Sequence, residues 1–204
     1  MTPVKTDGVQ SAQPGAARIG QSDVAELAKR VAELTQRPLV LVGLMGSGKT
    51  TVGRKLAALL DRSFTDADEA IEAAAQRSVT EIFDEFGEAY FRDGERRVIA
   101  RLLDDRPGVI ATGGGAFVDD RTRALILEKG IAVWIDCDID TLVERTARRD
   151  TRPLLRGGDP KTILTKMRTD RSPAYTQAHV RVTGEASSHR DMAAAILSAV
   201  DRWL

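Results

Sequence analysis

The chain has 204 residues, 42% of them hydrophobic, which is enough to bury one sizeable core and short for two. Thirty Lys and Arg balance thirty Asp and Glu. That balance excludes a global electropositive field for nucleic acid or an anionic membrane, and leaves any anion site local.

The only cysteine, Cys137, excludes an internal disulfide and a multi-cysteine metal site, and two isolated histidines, His179 and His189, give little for a zinc cluster. Such cysteine usage fits a reducing cytoplasm. No apolar run approaches the roughly 20 residues of a membrane span, and no apolar h-region marks a signal peptide. Residues 1–21, rich in Gly, Pro, Gln and Ala, have too few large apolar side chains to order themselves and read as a disordered tail. A single domain is expected over 22–204. Its first helix starts at Ser22, because Val24, Leu27, Ala28, Val31 and Leu34 recur at helical spacing before Pro38 stops them.

From there short β-branched runs alternate with amphipathic segments, the pattern of a parallel sheet wrapped by crossover helices. A strand over Leu39–Val42 leads to a helix from Lys49, with Val52, Leu56, Leu59 and Leu60 on one face. A second strand ends near Thr65. Ser78 and Glu81 have capping-box spacing, Gly87 ends that turn, and a longer helix carries Phe91, Val98, Ile99 and Leu102. A third strand, Val109–Thr112, precedes a helix closed by Gly130 and a fourth strand, Ile131–Ile135. Asp138 or Asp140 caps the next helix, and Asp159 with Pro160 opens another. A last strand, His179–Val182, feeds a terminal helix with Met192, Ile196, Leu197, Val200 and Trp203. The expected fold class is therefore α/β, with five parallel strands flanked by helices.

Between the first strand and its helix lies Gly43-Leu44-Met45-Gly46-Ser47-Gly48-Lys49-Thr50, which has phosphate-loop spacing in the required strand–loop–helix setting. Glycines let successive amides converge on phosphate oxygens, and the helix N-terminus adds partial positive charge. Lys49 is placed to reach the β and γ phosphates, and Thr50 to supply a hydroxyl to Mg²⁺. Gly46, Ser47, Gly48, Lys49, Thr50 and Thr51 form the expected nucleotide site. Guanine readers use an Asn-Lys-x-Asp loop, and this chain contains no asparagine, so the expected nucleotide is ATP. The same absence reduces His189-Arg190-Asp191 to helix-start chemistry.

Two further features suit phosphoryl transfer. Arg148 to Gly158 concentrates positive charge between glycines, as a mobile lid over about 148–160 would, although a solvated basic loop has the same composition. Asp66 and Asp68, after the second strand, would share a face in extended geometry, one toward metal and one toward an acceptor hydroxyl. Either residue taken alone also reads as an ordinary acidic helix start.

Taken together, the chain from about Arg37 onward resembles shikimate kinases. The motifs are GLMGSGKT, Asp66-x-Asp68, Phe91-Arg92 with Glu95, Gly113-Gly114-Gly115, Arg152-Pro153-Leu154-Leu155 and Arg171-x-Pro-x-Tyr175, in the family's order. The resemblance implies a P-loop kinase fold with a lid, transfer of the ATP γ-phosphate to the 3-hydroxyl of shikimate, Mg²⁺ as metal, and a monomer.

The resemblance further implies that Arg92 and Arg171 hold the substrate carboxylate, for which the planar guanidinium suits better than Lys. Glu95 would fix Arg92, and Gly113, Gly114 and Gly115 would bring backbone to the ring hydroxyls. Asp68 would be the base and Asp66 would hold the Mg²⁺ shell. Arg152 would be the lid arginine and Arg145 would flank adenine. Phe83 and Phe91 line the pocket or simply pack in the core. Asp93 stands where relatives often have a basic residue, and a surface position is expected for it. A gluconate or nucleoside-monophosphate kinase is the rival enzyme reading; a non-catalytic nucleotide switch is the rival from another class, with no use for an acceptor site.

Overall fold

Three runs, apolar but for one carboxylate, are buried along their whole length, which in a sheet requires cover on both faces. They are Leu39–Val42, Gly108–Ala111 and Ile131–Cys137. In the computed structural model, which describes residues 11–12, 21–147, 158–184 and 188–204, these are β2, β4 and β5. Ser63–Asp66 is β3, Val180–Gly184 is β6, and Ser11–Ala12 is the two-residue β1. The order is β1-β6-β5-β2-β4-β3 with every pair parallel. Five strands make the expected sheet. A sixth, edge strand comes from the segment read as tail, where Ser11 pairs with Arg181 and Ala12 with Val182; the rest of that segment up to residue 20 lies outside the described residues.

The helices are α1 Gln21–Leu34, α2 Lys49–Leu60, α3 Ala67–Ala75, α4 Val79–Asp104, α5 Asp120–Lys129, α6 Ile139–Ala147, α7 Pro160–Tyr175 and α8 His189–Trp203. Their ends follow local chemistry. Ser78 and Glu81 form the expected capping box on α4, and Ser188 with Asp191 forms a second one on α8, so the His-Arg-Asp run is helix-start chemistry. Asp138, not Asp140, caps α6 by accepting from the Thr141 amide at 2.7 Å. Asp159 caps α7 through Thr162. Gly87, with φ +78°, breaks the helical path inside α4 where a turn end is expected.

One hydrophobic cluster runs from Val24 and Val31 of α1 through the central strands to Ile196, Leu197 and Val200 of α8. Helices α1, α2 and α8 pack against one another, α4 against α3 and α5, and α6 against α7. Strand β2 has β4 on one side and β5 on the other. The chain leaving β2 therefore opens into the crevice where the strand order reverses, the usual ligand position in such sheets.

At the far end of the sheet, His179 Nδ1 accepts from the Ala132 amide at 2.9 Å and its ring lies 4.9 Å from that of Trp203. Burial, followed by the charge of Arg37, pushes its pKa down from 6.5 to about 4. The unfolded chain thus takes the proton first, and stability that is complete above pH 6.5 drains away as pH falls toward 4. Calorimetry should show an acid-side loss of about 1–2 kcal/mol from this group, allowing for its partial exposure. His179→Gln, which keeps an acceptor but does not titrate, should lack that part of the slope; equal slopes would remove His179 as its source.

Candidate active site

The loop after β2 curls because Gly43, Gly46 and Gly48 adopt φ of +137°, +82° and +88°, a region that costs side-chain-bearing residues strain. At Gly43 the need is doubled, since a Cβ would sit 2.6 Å from the Ile135 carbonyl oxygen. Lys49 Nζ donates to the Gly43 and Leu44 carbonyls, each at 2.9 Å. Gly48 caps α2 without a side-chain acceptor, so the first amides of α2 have none from that cap. Together with the lysine they make an anion cradle.

Thr50 Oγ1 donates to Asp66 Oδ2 at 2.8 Å, and Asp66 Oδ1 accepts from the Asp68 amide at 3.1 Å. The hydroxyl and carboxylate are a donor set of hard oxygens that suits Mg²⁺. The acidic pair does not share an extended segment. Asp66 ends β3 and caps α3, while Asp68 already lies in the first turn of α3. Helix capping, not strand alternation, sets the two carboxylates. Asp68 has a pKa raised by burial and by Asp66, against the lowering effect of Lys49.

Arg92, on α4, donates to Glu95 Oε2 at 2.7 Å and to Glu88 Oε1 at 3.3 Å. The Glu95 side chain is 1% exposed; burial raises its pKa while Arg92 opposes the rise. The guanidinium carbon lies 5.2 Å from the Phe91 ring centre and 6.0 Å from that of Phe83. Phe83 and Phe91 pack on each other at 4.4 Å and both face the cleft, so the pocket and packing roles coincide. Asp93 is on the surface, paired with Arg96 and Arg97.

The triple glycine after β4 does more than bring backbone near a ligand. A Cβ on Gly113 would lie 2.7 Å from Asp68 Oδ1, one on Gly114 would lie 3.3 Å from Arg171 Nη1, and one on Gly115 would overlap the Arg92 guanidinium. Each glycine makes room for a different functional side chain. The Gly114 carbonyl accepts from Arg171 Nη1 at 3.0 Å and from the Tyr175 hydroxyl at 2.6 Å. Tyr175 is 1% exposed, and its burial lifts the phenol pKa to about 12.

These groups line one cleft of about 770 Å³. Gly46, Gly48, Lys49, Thr50, Thr51, Asp66, Asp68, Arg92, Gly113, Gly114, Gly115, Arg145 and Arg171 all reach it. Ser47 is buried beneath the loop, its hydroxyl accepting from Lys49 at 3.5 Å. Arg152 and the basic loop over 148–157 lie outside the described residues. Sequence reasoning missed Glu72, which lines the acceptor side and accepts from the Val79 amide at 2.9 Å. It also missed His189, which comes beside Gly48 and Arg145 at the nucleotide end. Neither has a spacing signal; both are delivered by helix packing.

The family model described as "Shikimate kinase" matches residues 45–201. The shikimate kinase of Novosphingobium aromaticivorans is 56% identical over 194 residues, covering 93% of this chain and 98% of its own. That of Caulobacter vibrioides is 54% identical over 170 residues, covering 83% and 85%. Among solved structures, shikimate kinase from Acinetobacter baumannii in complex with shikimate superposes with a TM-score of 0.77 at 36% identity, over 82% of this chain and 95% of that one. With the cleft's geometry and these likenesses in agreement, the chain belongs to the shikimate kinase family.

Proposed function

We propose that the chain transfers the γ-phosphate of ATP to the 3-hydroxyl of shikimate, giving shikimate 3-phosphate and ADP. The observation that carries this reading is the meeting of Asp68, Arg171 and Arg92 over Gly113, Gly114 and Gly115, in the same cleft as the anion cradle. A carboxylate-bearing polyol is the acceptor such a set suits: two guanidinium forks for the acid group and a carboxylate for a hydroxyl.

In the reaction Lys49 and the loop amides bind the phosphates and hold the γ-phosphoryl group in line with the acceptor. Thr50 and Asp66 would hold Mg²⁺, which when bound neutralises charge on the β and γ oxygens. Asp68 orients the 3-hydroxyl and takes its proton; a carboxyl raised by burial is the better acceptor. Arg92 and Arg171 fix the substrate carboxylate, and Glu95 fixes Arg92. Arg145 flanks the base of the nucleotide; the role expected for Arg152 falls on residues outside those described.

An ADP-release assay across shikimate, gluconate and AMP tests the reading. Rapid turnover with shikimate alone is expected, and equal rates with gluconate or AMP would overturn it. Arg92→Lys should raise the shikimate KM about tenfold with the ATP KM little changed, because the fork to the carboxylate is lost while the charge remains. An effect confined to the ATP KM would place Arg92 elsewhere.

A further inference from the structure

Strands β5 and β6 carry a group of charges that the reaction described above does not use. Asp136, whose side chain is 5% exposed, accepts from Arg168 Nη2 at 3.0 and 3.2 Å and from Arg181 Nη2 at 2.6 Å. Isolated burial of a carboxylate is costly, and two arginines are what make this one tolerable. Arg181 also lies over the Trp134 ring at 4.6 Å, and Trp134 stacks on Tyr175 at 5.7 Å. Trp134 pairs with Arg181 and Asp136 with Thr183 in the parallel register, so Trp134, Asp136 and Arg181 share one face of the sheet.

The circuit closes on α7. Arg168 and Tyr175 are seven residues apart, two turns of one helix, and Arg171 lies between them on nearly the same face. The sheet therefore grips α7 at two points: Arg168 through Asp136, and Tyr175 through Trp134. Between those points Arg171 donates to the Gly114 carbonyl. With Leu164 buried in the core and α7 packed on α6, the two contacts two turns apart add a fixed height and rotation for the residue between them.

We infer that Asp136 is a positioning residue for the acceptor site: by holding Arg168 against β5 it sets where the Arg171 guanidinium stands. The inference concerns the site assigned above to the shikimate carboxylate and rests on that reading for its kinetic consequence, but not for its structural one. Asp136 does not line the cleft. Its effect travels through the backbone of α7 and reads out as acceptor binding.

The test is Asp136→Asn, which keeps the shape and removes the charge, assayed well below its unfolding temperature. The shikimate KM is expected to rise about tenfold, with the ATP KM within about twofold, since a small misplacement of a clamp is felt in one substrate only. In an Arg171→Met background the same change should have almost no further effect on kcat/KM. Additive losses, or equal rises in both KM values, would overturn the inference. The side-chain Nε–H NMR signal of Arg171 in the free protein gives a readout without substrate. It should shift and broaden in Asp136→Asn, and an unchanged signal would sink the inference even if activity fell. Arg168→Met, which leaves Asp136 paired with Arg181, should reproduce both effects where Asp136→Asn does not fold. A wild-type protein indifferent to shikimate would defeat the proposed function, and the NMR signal would still decide the role of Asp136.

Discussion

Replacing Asp68 by Ala is expected to lower turnover with shikimate by about 10² to 10⁴, the usual reach of a positioned general base. The nucleotide dissociation constant should stay within a few fold, because the loop amides and Lys49, which ties the Gly43 and Leu44 carbonyls, are left in place. The electrostatics sharpen this expectation. Burial and Asp66 hold its pKa above the ordinary carboxylate range, while Lys49 and Arg92 draw it down. The acidic limb of the kcat/KM profile should therefore lie above pH 4, the usual range of Asp, and should vanish in Asp68→Asn along with the activity.

Stability should move the other way. A folded-state pKa raised above the unfolded value means that the ionised carboxylate destabilises the fold at neutral pH, a burden relieved as pH falls. Asp68→Ala should then melt no lower than the parent, as expected where a strained group serves chemistry. Isothermal titration with an ATP analogue, stopped-flow turnover and calorimetry on one preparation would check all three. Full turnover in Asp68→Ala would remove it as base.

Lys49→Met should lower kcat by about 10² to 10³, the loss associated with one preorganised electrostatic partner of the transferring group. Unlike Asp68→Ala, it should also weaken nucleotide binding, because Lys49 Nζ ties the Gly43 and Leu44 carbonyls and so shapes the loop itself. Single-turnover measurements at saturating ATP separate the two losses. A variant with weakened ATP binding but an unaltered chemical step would restrict Lys49 to binding.

Much of this site is legible in the chain because its pieces are local. A phosphate loop is eight consecutive residues whose glycines are demanded by backbone angles, and the capping box at Ser78 is likewise contiguous. Alternation of short runs with amphipathic segments marks five parallel strands, and in three of them, β2, β4 and β5, burial on both faces leaves the clearest signature. The acidic pair is legible in composition, while of its two possible geometries the structure has the acidic helix start and not the extended pair. Two residues decide whether a strand continues or a helix begins, and propensity does not resolve that boundary.

What the sequence by itself determined is each element, its caps and the chemistry it carries, because hydrogen bonds along a helix or within a turn involve residues a few positions apart. What only the tertiary structure decided is which of those groups meet. Gly113, Gly114 and Gly115 admit Asp68, Arg171 and Arg92 from three different helices. Asp136 gathers Arg168 and Arg181, residues 32 and 45 positions away. Such meetings depend on strand order and helix packing, and those follow from burying one core shared by the whole chain, which no window of the sequence contains.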